Sequence, residues 1–198
     1  IGGAYEKGCR AVIVEEDVEN LPQDMTVYKV SESREALTVI AGNFYEHPSK
    51  KLNMIGVTGT NGKTSTTYFM ESILNTIGHK TGVIGTVETR IGGKKRDIKF
   101  ATSTTPDTLD LNAILKLMAD EDLVMEVSSH GLALKKVDGI DFNIGIFTNL
   151  TQDHLDFHKT MENYCLAKAK LFKMCKTGII NVDDKWSQKI IDEATCDI

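Results

Sequence analysis

From residue 52 onward, short runs of consecutive apolar residues alternate with segments in which apolar residues recur at helical spacing. Apolar runs bounded by turn residues predict buried strands, and the helical spacing predicts helices with one apolar face. The predicted strands are residues 53–58, 82–87, 123–127, 143–150 and 178–182, and the predicted helices are residues 66–77, 106–118, 161–174 and 184–193. This alternation predicts an α/β fold with a largely parallel sheet that helices flank on both faces.

Individual residues add detail to the first two predicted helices and predict one hairpin turn. The helix of residues 66–77 is expected to turn five apolar side chains toward the core. They are Phe69, Met70, Ile73, Leu74 and Ile77. Thr105 and Pro106 are suitable as the N-cap and first position of the helix of residues 106–118. Residues 90–94, which read Arg-Ile-Gly-Gly-Lys, predict the tip of a β-hairpin.

The first 48 residues have the pattern of a smaller unit. Residues 10–14 and 26–30 are short β-branched runs, and residues 33–45 carry apolar positions at helical spacing. Those apolar positions are Leu37, Ile40, Ala41 and Phe44. The polar stretch Pro-Ser-Lys-Lys at 48–51 is typical of a linker.

The chain has 198 residues, begins with Ile1 rather than Met and ends without an evident closing element. We therefore expect a fragment of a longer polypeptide. Residues 1–48 would be the end of a small α/β N-terminal domain, and residues 49–198 would be an incomplete second domain that contains the phosphate loop described next.

The candidate chemistry begins between the first strand and first helix of the second unit. Residues 56–65 read Gly-Val-Thr-Gly-Thr-Asn-Gly-Lys-Thr-Ser. A strand that leads through a Gly-rich turn into a helix directs backbone N–H groups at one spot, which suits phosphate. Lys63 can then reach the β- and γ-phosphates, and the Thr64 hydroxyl can bind Mg²⁺. Val57 stands where the general pattern requires a glycine, and the extra glycine is Gly59. The segment predicts nucleoside triphosphate binding, with an ordinary Gly-containing turn as the alternative.

Later strands also end in polar residues, at the edge of a parallel sheet where ligands bind. Glu126 lies where P-loop enzymes keep a carboxylate for Mg²⁺, and its alternative role is a solvent-facing strand residue. His154 and His158 are four residues apart, but Leu155 stands where a zinc protease needs its glutamate. The pattern therefore favours a histidine that assists a Mg²⁺ or phosphate site over a zinc site.

Composition narrows the partners. The chain is 41% hydrophobic and 26% charged with a net charge of −5, which argues against non-specific binding of nucleic acid. It has no apolar run of membrane-spanning length. The four cysteines lack CxxC spacing, which is typical of reduced thiols in a cytoplasmic protein. Lys168 and Lys170 have no special spacing and, on local reasoning alone, are solvated residues on a helix.

Taken together, the segments resemble the Mur ligases of peptidoglycan precursor synthesis, and the resemblance covers nearly the whole chain. The family's motifs occur in order: Thr-Gly-Thr-Asn-Gly-Lys-Thr at 58–64, Thr-Thr-Pro at 104–106, Glu-Val-Ser-Ser-His at 126–130, Asn-Leu-Thr-Gln-Asp-His-Leu-Asp-Phe-His at 149–158 and Ala-Lys-Ala-Lys-Leu-Phe at 167–172. The second and third of these look most like the members that add the third amino acid. This ordered set is far more specific than the phosphate loop alone.

The resemblance implies a role for each matching position. ATP would be bound by Gly59, Thr60, Asn61, Gly62, Lys63, Thr64 and Ser65. The catalytic residues would be Lys63, Glu126, His154 and Lys168. Mg²⁺ would be bound by Thr64, Glu126, His154 and Lys168, the last as a CO₂-derived carbamate. The UDP-muramoyl substrate would contact Thr104, Thr105, Ser128 and Lys136.

Two of these implications carry a physical condition. Carbamate formation needs a neutral amine, so the pKa of Lys168 must be lowered by its surroundings. The family usually has arginine at the position of Lys136, and lysine keeps the charge but lacks the bidentate fork. Ser33 and Arg34 match a Ser-Arg motif near the end of the family's UDP-binding N-terminal domain, to which we assign no role from the sequence.

The implied reaction is ATP-dependent amide formation. The D-glutamyl carboxylate of UDP-MurNAc-L-Ala-D-Glu would attack the γ-phosphorus of ATP, and a diamino acid, meso-diaminopimelate or L-lysine, would displace phosphate from the acyl phosphate. Lys63 and Mg²⁺ would offset the repulsion between carboxylate and polyphosphate. The resemblance implies a cytoplasmic enzyme without nucleic-acid or membrane partners.

The family continues beyond these residues with a C-terminal domain that binds the amino acid. We therefore expect little ligase activity from the 198 residues alone. Two alternatives stay open, a folylpolyglutamate synthase-like ligase and a nucleotide-binding regulatory module that forms no amide.

Overall fold

The structure is a computed structural model that describes residues 1–92, 94–96, 104–118 and 122–198. The first elements are the helix α1 (Gly2–Glu6), the strands β1 (Ala11–Val14) and β2 (Thr26–Lys29), and the helix α2 (Ser33–Phe44). Strands β1 and β2 pair in parallel. The predicted strands and helix of this unit are confirmed to within one residue at each end. The expected linker is a short 3₁₀ helix, Pro48–Lys51, whose first two residues are buried.

The remaining elements include each predicted strand and helix of the second unit, together with two short helices that the pattern does not predict. They are β3 (Asn53–Thr58), α3 (Lys63–Thr76), β4 (Thr81–Ile84), β5 (Thr89–Ile91), β6 (Lys94–Arg96), α4 (Thr108–Leu117), β7 (Asp122–Glu126), α5 (Ser129–Ala133), β8 (Phe142–Phe147), α6 (Leu155–His158), α7 (Met161–Ala169), β9 (Cys175–Ile180) and α8 (Ser187–Glu193). A second 3₁₀ helix, Lys170–Lys173, follows α7.

One sheet joins the strands from β3 onward, in the order β6-β5-β4-β7-β3-β8-β9. The five strands from β4 to β9 in this order are parallel, and β5 and β6 form an antiparallel hairpin at one edge. The α/β class with a largely parallel sheet is therefore confirmed. The hairpin is confirmed as well, although Gly93 of its predicted tip lies outside the described residues.

Alternate residues of the central strands face two separate apolar clusters, as expected for strands covered on both faces. Leu123 and Met125 of β7 face the larger cluster, to which α4 and α7 contribute. Val124, between them, faces the smaller cluster under α3. The sheet is thus the middle layer, and the carboxyl ends of its parallel strands share one edge.

Helix α3 departs from its predicted orientation. Leu74 is buried, but Phe69, Ile73 and Ile77 are 68%, 57% and 64% exposed, so the prediction that they point inward is wrong. Thr67 and Glu71 occupy the sheet side instead, and Glu71 pairs with Arg90 of β5. The outer stripe faces solvent because no other described element covers that flank of the helix.

The predicted start of α4 is also wrong. Its N-cap is Asp107, whose side chain accepts a hydrogen bond from the Thr108 N–H, so Thr105 and Pro106 precede the helix. The hydroxyl of Thr105 is drawn into contacts with Ser128 and the Glu126 carbonyl.

Several predicted boundaries move by a few residues because side chains replace ladder or helix bonds. Strand β4 ends at Ile84, since the Thr86 N–H donates to the Glu126 carboxylate rather than to a neighbouring strand. Helix α8 begins at Ser187, since the Asp184 carboxylate accepts from backbone N–H groups before it. Helix α7 ends at Ala169 and tightens into the 3₁₀ turn.

Two global expectations can be compared directly. The four cysteines are free thiols. Among the helices that the structure describes, none combines the length and apolar character needed to cross a bilayer.

Candidate active site

The loop between β3 and α3 has the backbone of a phosphate-binding turn. Gly62 has a φ of +85° and Gly59 a φ of +150°, in the region that favours glycine. A Cβ on Gly59 would lie 1.9 Å from Thr148 Oγ1. The Thr148 hydroxyl donates to the Asn61 carbonyl at 2.7 Å, and the Asn149 side-chain oxygen accepts from the Asn61 N–H at 3.0 Å. Thr148 and Asn149, which directly follow β8, therefore fix the position of Asn61 in the loop.

Lys63 begins α3 and bends back over the loop. Its Nζ donates to the carbonyl oxygens of Gly59 and Thr60, both at 2.9 Å. Burial lowers the pKa of Lys63, against the opposite effect of Glu126 and Asp153. This ammonium is the positive charge of the loop, and the carbonyls hold it where phosphate oxygens could replace them as acceptors.

Glu126 lies at the end of β7, next to the loop, and is only 1% exposed. Its Oε1 accepts from the Thr64 hydroxyl at 2.8 Å and from the Thr86 N–H at 2.9 Å, and its Oε2 accepts from the Thr86 hydroxyl at 3.1 Å. A Cβ at Gly85 would lie 2.5 Å from Oε1. The solvent-facing alternative for Glu126 is therefore wrong. Ser65, the last residue of the predicted loop, is exposed.

The two histidines predicted after β8 separate in the structure. His154 is half-exposed, has a φ of +52° and lies 3.6 Å from the Asp153 carboxylate. His158 is buried, and its Nε2 lies 2.9 Å from the Ser129 hydroxyl. The His130 ring stands between them, 4.8 Å from the His154 ring and 5.4 Å from the His158 ring. In the described part of the chain, no group of three or more His, Cys, Asp or Glu side chains could hold a metal ion.

Lys168 is 1% exposed, so the solvated-face interpretation is wrong for it, whereas Lys170 is exposed as expected. Its Nζ donates to the Gly59 carbonyl at 2.8 Å and lies 4.5 Å from the centroid of the Tyr164 ring. Burial, and secondarily the charge of Lys63, hold the pKa of Lys168 well below its usual value. The surroundings therefore favour the neutral amine.

The four positions predicted to contact the substrate lie on the β7 side of the same edge. Thr105 and Ser128 share a hydrogen bond of 3.0 Å, and the Thr104 hydroxyl lies 3.1 Å from that of Thr86. Lys136 is buried, and its carbonyl accepts from the Thr108 hydroxyl at 3.3 Å. The Thr86 hydroxyl thus contacts both the Thr104 hydroxyl and the Glu126 carboxylate and links the two residues.

Direct contacts join the phosphate loop to β7 through Thr64 and Glu126, and to α7 through Gly59 and Lys168. His154 lies farther out, with its ring 6.0 Å from that of Tyr164. The predicted residues therefore share one edge of the sheet, and Thr64, Glu126 and Lys168 form its centre.

Sequence reasoning missed two side chains of this centre. The predicted strand of residues 82–87 includes Thr86, but the strand ends at Ile84, so Thr86 is one of the residues that follow a strand at the ligand-binding edge. Tyr164 is 1% exposed, and its hydroxyl lies 3.2 Å from Thr60 Oγ1. Its spacing of four residues before Lys168 puts both on one helix face, which was the available signal.

The donor set fits magnesium. A threonine hydroxyl and a buried carboxylate are hard oxygen ligands, and they stand beside the loop that would hold phosphates. A positively charged Lys168 cannot bind a cation, whereas a carbamate on it would add anionic oxygens near the Lys63 ammonium. The lowered pKa of Lys168 suits the reaction of its amine with CO₂.

The fold and the loop define an α/β domain with a largely parallel sheet and a glycine-rich loop between its first strand and helix. A family model described as the Mur ligase middle domain matches residues 57–197. The chain belongs to the Mur ligase family.

The chain is also similar to individual members of this family. The chain is 47% identical over 196 residues to UDP-N-acetylmuramoyl-L-alanyl-D-glutamate–2,6-diaminopimelate ligase of Clostridium botulinum, with 96% of the chain covered. It spans 40% of the length of that relative. A solved structure of a ligase with the same name superposes with a TM-score of 0.79 at 27% identity, over 97% of this chain and 39% of the other. Escherichia coli FolC bound to ADP shares the fold alone, with a TM-score of 0.63 at 22% identity, over 82% and 46% of the two chains.

Proposed function

We propose that this chain is part of an ATP-dependent ligase of peptidoglycan precursor synthesis. The reaction joins a diamino acid to UDP-MurNAc-L-Ala-D-Glu through an acyl phosphate. The names of the relatives favour 2,6-diaminopimelate over L-lysine as the amino acid. The observation that carries the proposal is the convergence of Thr64, Glu126 and Lys168 on the phosphate loop at one edge of the sheet.

The phosphate loop would bind ATP as a substrate. The backbone N–H groups of the loop and the ammonium of Lys63 would hold the β- and γ-phosphates, after Lys63 leaves the Gly59 and Thr60 carbonyls. Because a carboxylate that approaches a polyphosphate is repelled, the Lys63 charge lowers the barrier to attack on the γ-phosphorus. Thr104, Thr105, Ser128 and Lys136 would position the UDP-muramoyl acid.

Thr64 and Glu126, with His154 at the outer side, would hold Mg²⁺, and Lys168 would contribute as a carbamate. Bound there, the metal supplies charge stabilisation to the phosphoryl oxygens. The Thr86 hydroxyl, although exposed, contacts the Glu126 carboxylate, and the buried ring of Tyr164 packs against Lys168 and keeps water from that side of the amine.

The domain division is part of the proposal. Residues 1–48 would be the end of the UDP-binding domain and residues 49–198 an incomplete ATP-binding domain. The remainder of the protein would bind the amino acid. The proposal also includes a cytoplasmic location, where UDP-linked substrates and ATP are available.

The test uses a polypeptide that contains this chain and extends it to the length of its relatives (the extended protein). Phosphate release should require ATP, Mg²⁺, UDP-MurNAc-L-Ala-D-Glu and 2,6-diaminopimelate together, and the 198-residue chain alone should turn over little. ATP hydrolysis that ignores the carboxylate substrate would instead support a regulatory module. Turnover with a folate and glutamate would support the folylpolyglutamate synthase alternative, against which the 22% identity to FolC already weighs.

A further inference from the structure

The first turn of α2 contacts the sheet-bearing unit through charged side chains of both signs. Arg34 donates from NH1 to Asp107 Oδ1 at 2.7 Å. Glu32 and Glu35 accept from the Nζ of Lys135 at 2.6 and 2.9 Å. The turn therefore holds two segments of the second unit, one that ends in Asp107 and one that contains Lys135.

Both segments carry residues assigned above to the UDP-muramoyl substrate. Asp107 follows Thr105 by two residues, and Lys135 immediately precedes Lys136. Lys135 has a φ of +55°, an uncommon conformation for a side-chain-bearing residue, which its two carboxylate partners help to hold. The two segments also contact each other, through the Thr108 hydroxyl and the Lys136 carbonyl.

Asp107 connects Arg34 to the segment that carries Thr104 and Thr105. The oxygen that accepts from Arg34 also accepts from the Thr108 N–H at 2.8 Å and so begins α4. On the other side, Thr105 is fixed by Ser128 and by the carbonyl of Glu126. Residues 105–107 are therefore held at one end by Arg34 of the N-terminal unit and at the other end by Glu126 of β7 and Ser128 after it.

We propose that Arg34 is a positioning residue for the UDP-muramoyl acid. It fixes the Thr104–Thr105 segment through Asp107 and so couples the N-terminal unit to the substrate subsite. Arginine suits this role because its guanidinium is always charged and keeps a planar fork, which limits the orientations of its partner. The inference rests on the proposed function, and it gives a role to Arg34 of the Ser-Arg pair at the start of α2.

Calorimetry on the extended protein tests this inference with UDP-MurNAc-L-Ala-D-Glu and Mg-ATP as separate probes. Arg34→Ala should weaken binding of the UDP-linked acid by about fivefold, because a half-exposed charge-assisted bond is lost. Arg34→Lys should restore part of the affinity, and the affinity for Mg-ATP should stay unchanged. Asp107→Asn, which keeps an N-capping oxygen, should weaken the same probe, and Arg34→Ala should add little to it.

Lys116→Ala is the matched control, because Lys116 of α4 pairs with Glu46 at the far end of the same contact between the units. It should leave both affinities unchanged. Equal losses in Arg34→Ala and Lys116→Ala, or a loss for both probes in Arg34→Ala, would show a merely structural ion pair and overturn the inference. The proposed function is tested separately, by measuring ligation with the unaltered extended protein. The inference is tested by binding of the UDP-linked acid, which can be measured without turnover.

Discussion

The phosphate loop and helix α7 each bring a lysine to the same edge of the sheet, but the contacts of the two lysines come from different parts of the sequence. The loop is a contiguous segment, and its partners for Lys63 are backbone carbonyls three and four residues away. Lys168 instead donates to a carbonyl 109 positions earlier in the chain. The contacts of Lys63 are therefore specified by local sequence, whereas the environment of Lys168 exists only after the sheet has formed.

This difference separates two kinds of site chemistry. On the proposed function, the loop would act through backbone N–H groups and glycine conformations, which a short motif specifies. The α7 region would act through burial, ring contacts and shifted pKa values, which depend on side chains from several elements. Variants of each region should accordingly fail in different ways.

The largest effect is expected in the loop, from Gly59→Ala. The new Cβ would lie 1.9 Å from Thr148 Oγ1, and the backbone has a φ of +150°. Thr148 cannot move freely because its hydroxyl bonds the Asn61 carbonyl. We expect a loss of roughly 3 to 5 kcal/mol in the free energy of unfolding, from strain and overpacking, measured by urea denaturation.

Gly78→Ala is the control for this variant. Gly78 has a φ of +90°, but no atom lies within 4 Å of the Cβ that would be added. It should cost only about 1 kcal/mol, the penalty of the backbone conformation alone. If the two variants lose equal stability, close packing of the loop against β8 is not what requires glycine at Gly59.

The next effect concerns acid stability and the buried His158 of α6, whose ring stacks on that of Tyr164 of α7. Burial, then the charges of His130 and Lys168, lower the pKa of His158 to about 4. Because the unfolded chain takes up this proton near pH 6.5 and the folded chain does not, stability should fall as the pH decreases from about 6.5 to about 4, by up to roughly 3 kcal/mol. His158→Gln should flatten this part of the profile of unfolding free energy against pH. An unchanged slope in the variant would assign the acid sensitivity to other groups.

The sequence predicts the fold better than the site. Periodicity located every strand of the sheet's parallel core, because burial on both faces leaves continuous apolar runs. It failed on α3, where Phe69 and Ile73 are apolar yet exposed, because spacing alone cannot tell which flank of a helix a neighbour covers. Lys168 shows the same limit, since its burial depends on the Gly59 carbonyl, 109 positions away, and the only local signal is Tyr164 four residues before it on the same helix face.

A smaller effect is expected for Lys63→Ala in the loop. Removing a charged donor to phosphate should weaken Mg-ATP binding by about 30-fold to 100-fold, while stability changes little. Calorimetry on this chain measures the affinity. Lys80→Ala, at an exposed position, removes the same formal charge and should bind Mg-ATP normally. Equal weakening in both variants would reduce the role of Lys63 to long-range electrostatics.

The smallest effect, and opposite in sign, is expected for Lys168→Met on α7. The lowered pKa of Lys168 means that the unfolded chain binds this proton more tightly, so the contribution of the group to stability rises with pH and is unfavourable near pH 7. Methionine fills a similar volume without a charge, and the Gly59 carbonyl keeps Lys63 as a donor. We expect the variant to gain about 1 kcal/mol in unfolding free energy at pH 7, and to lose this gain as the pH approaches 10.

Lys170→Met, on the same helix but exposed, should change stability by less than about 0.5 kcal/mol. In the extended protein, Lys168→Met should abolish ligation despite the higher stability, as expected for a residue kept for function at the expense of folding. A destabilised Lys168→Met would mean that the Gly59 carbonyl and the Tyr164 ring more than offset the desolvation of the ammonium. The α7 lysine would then resemble Lys63, a cation held by its contacts, and the contrast between the two regions would disappear.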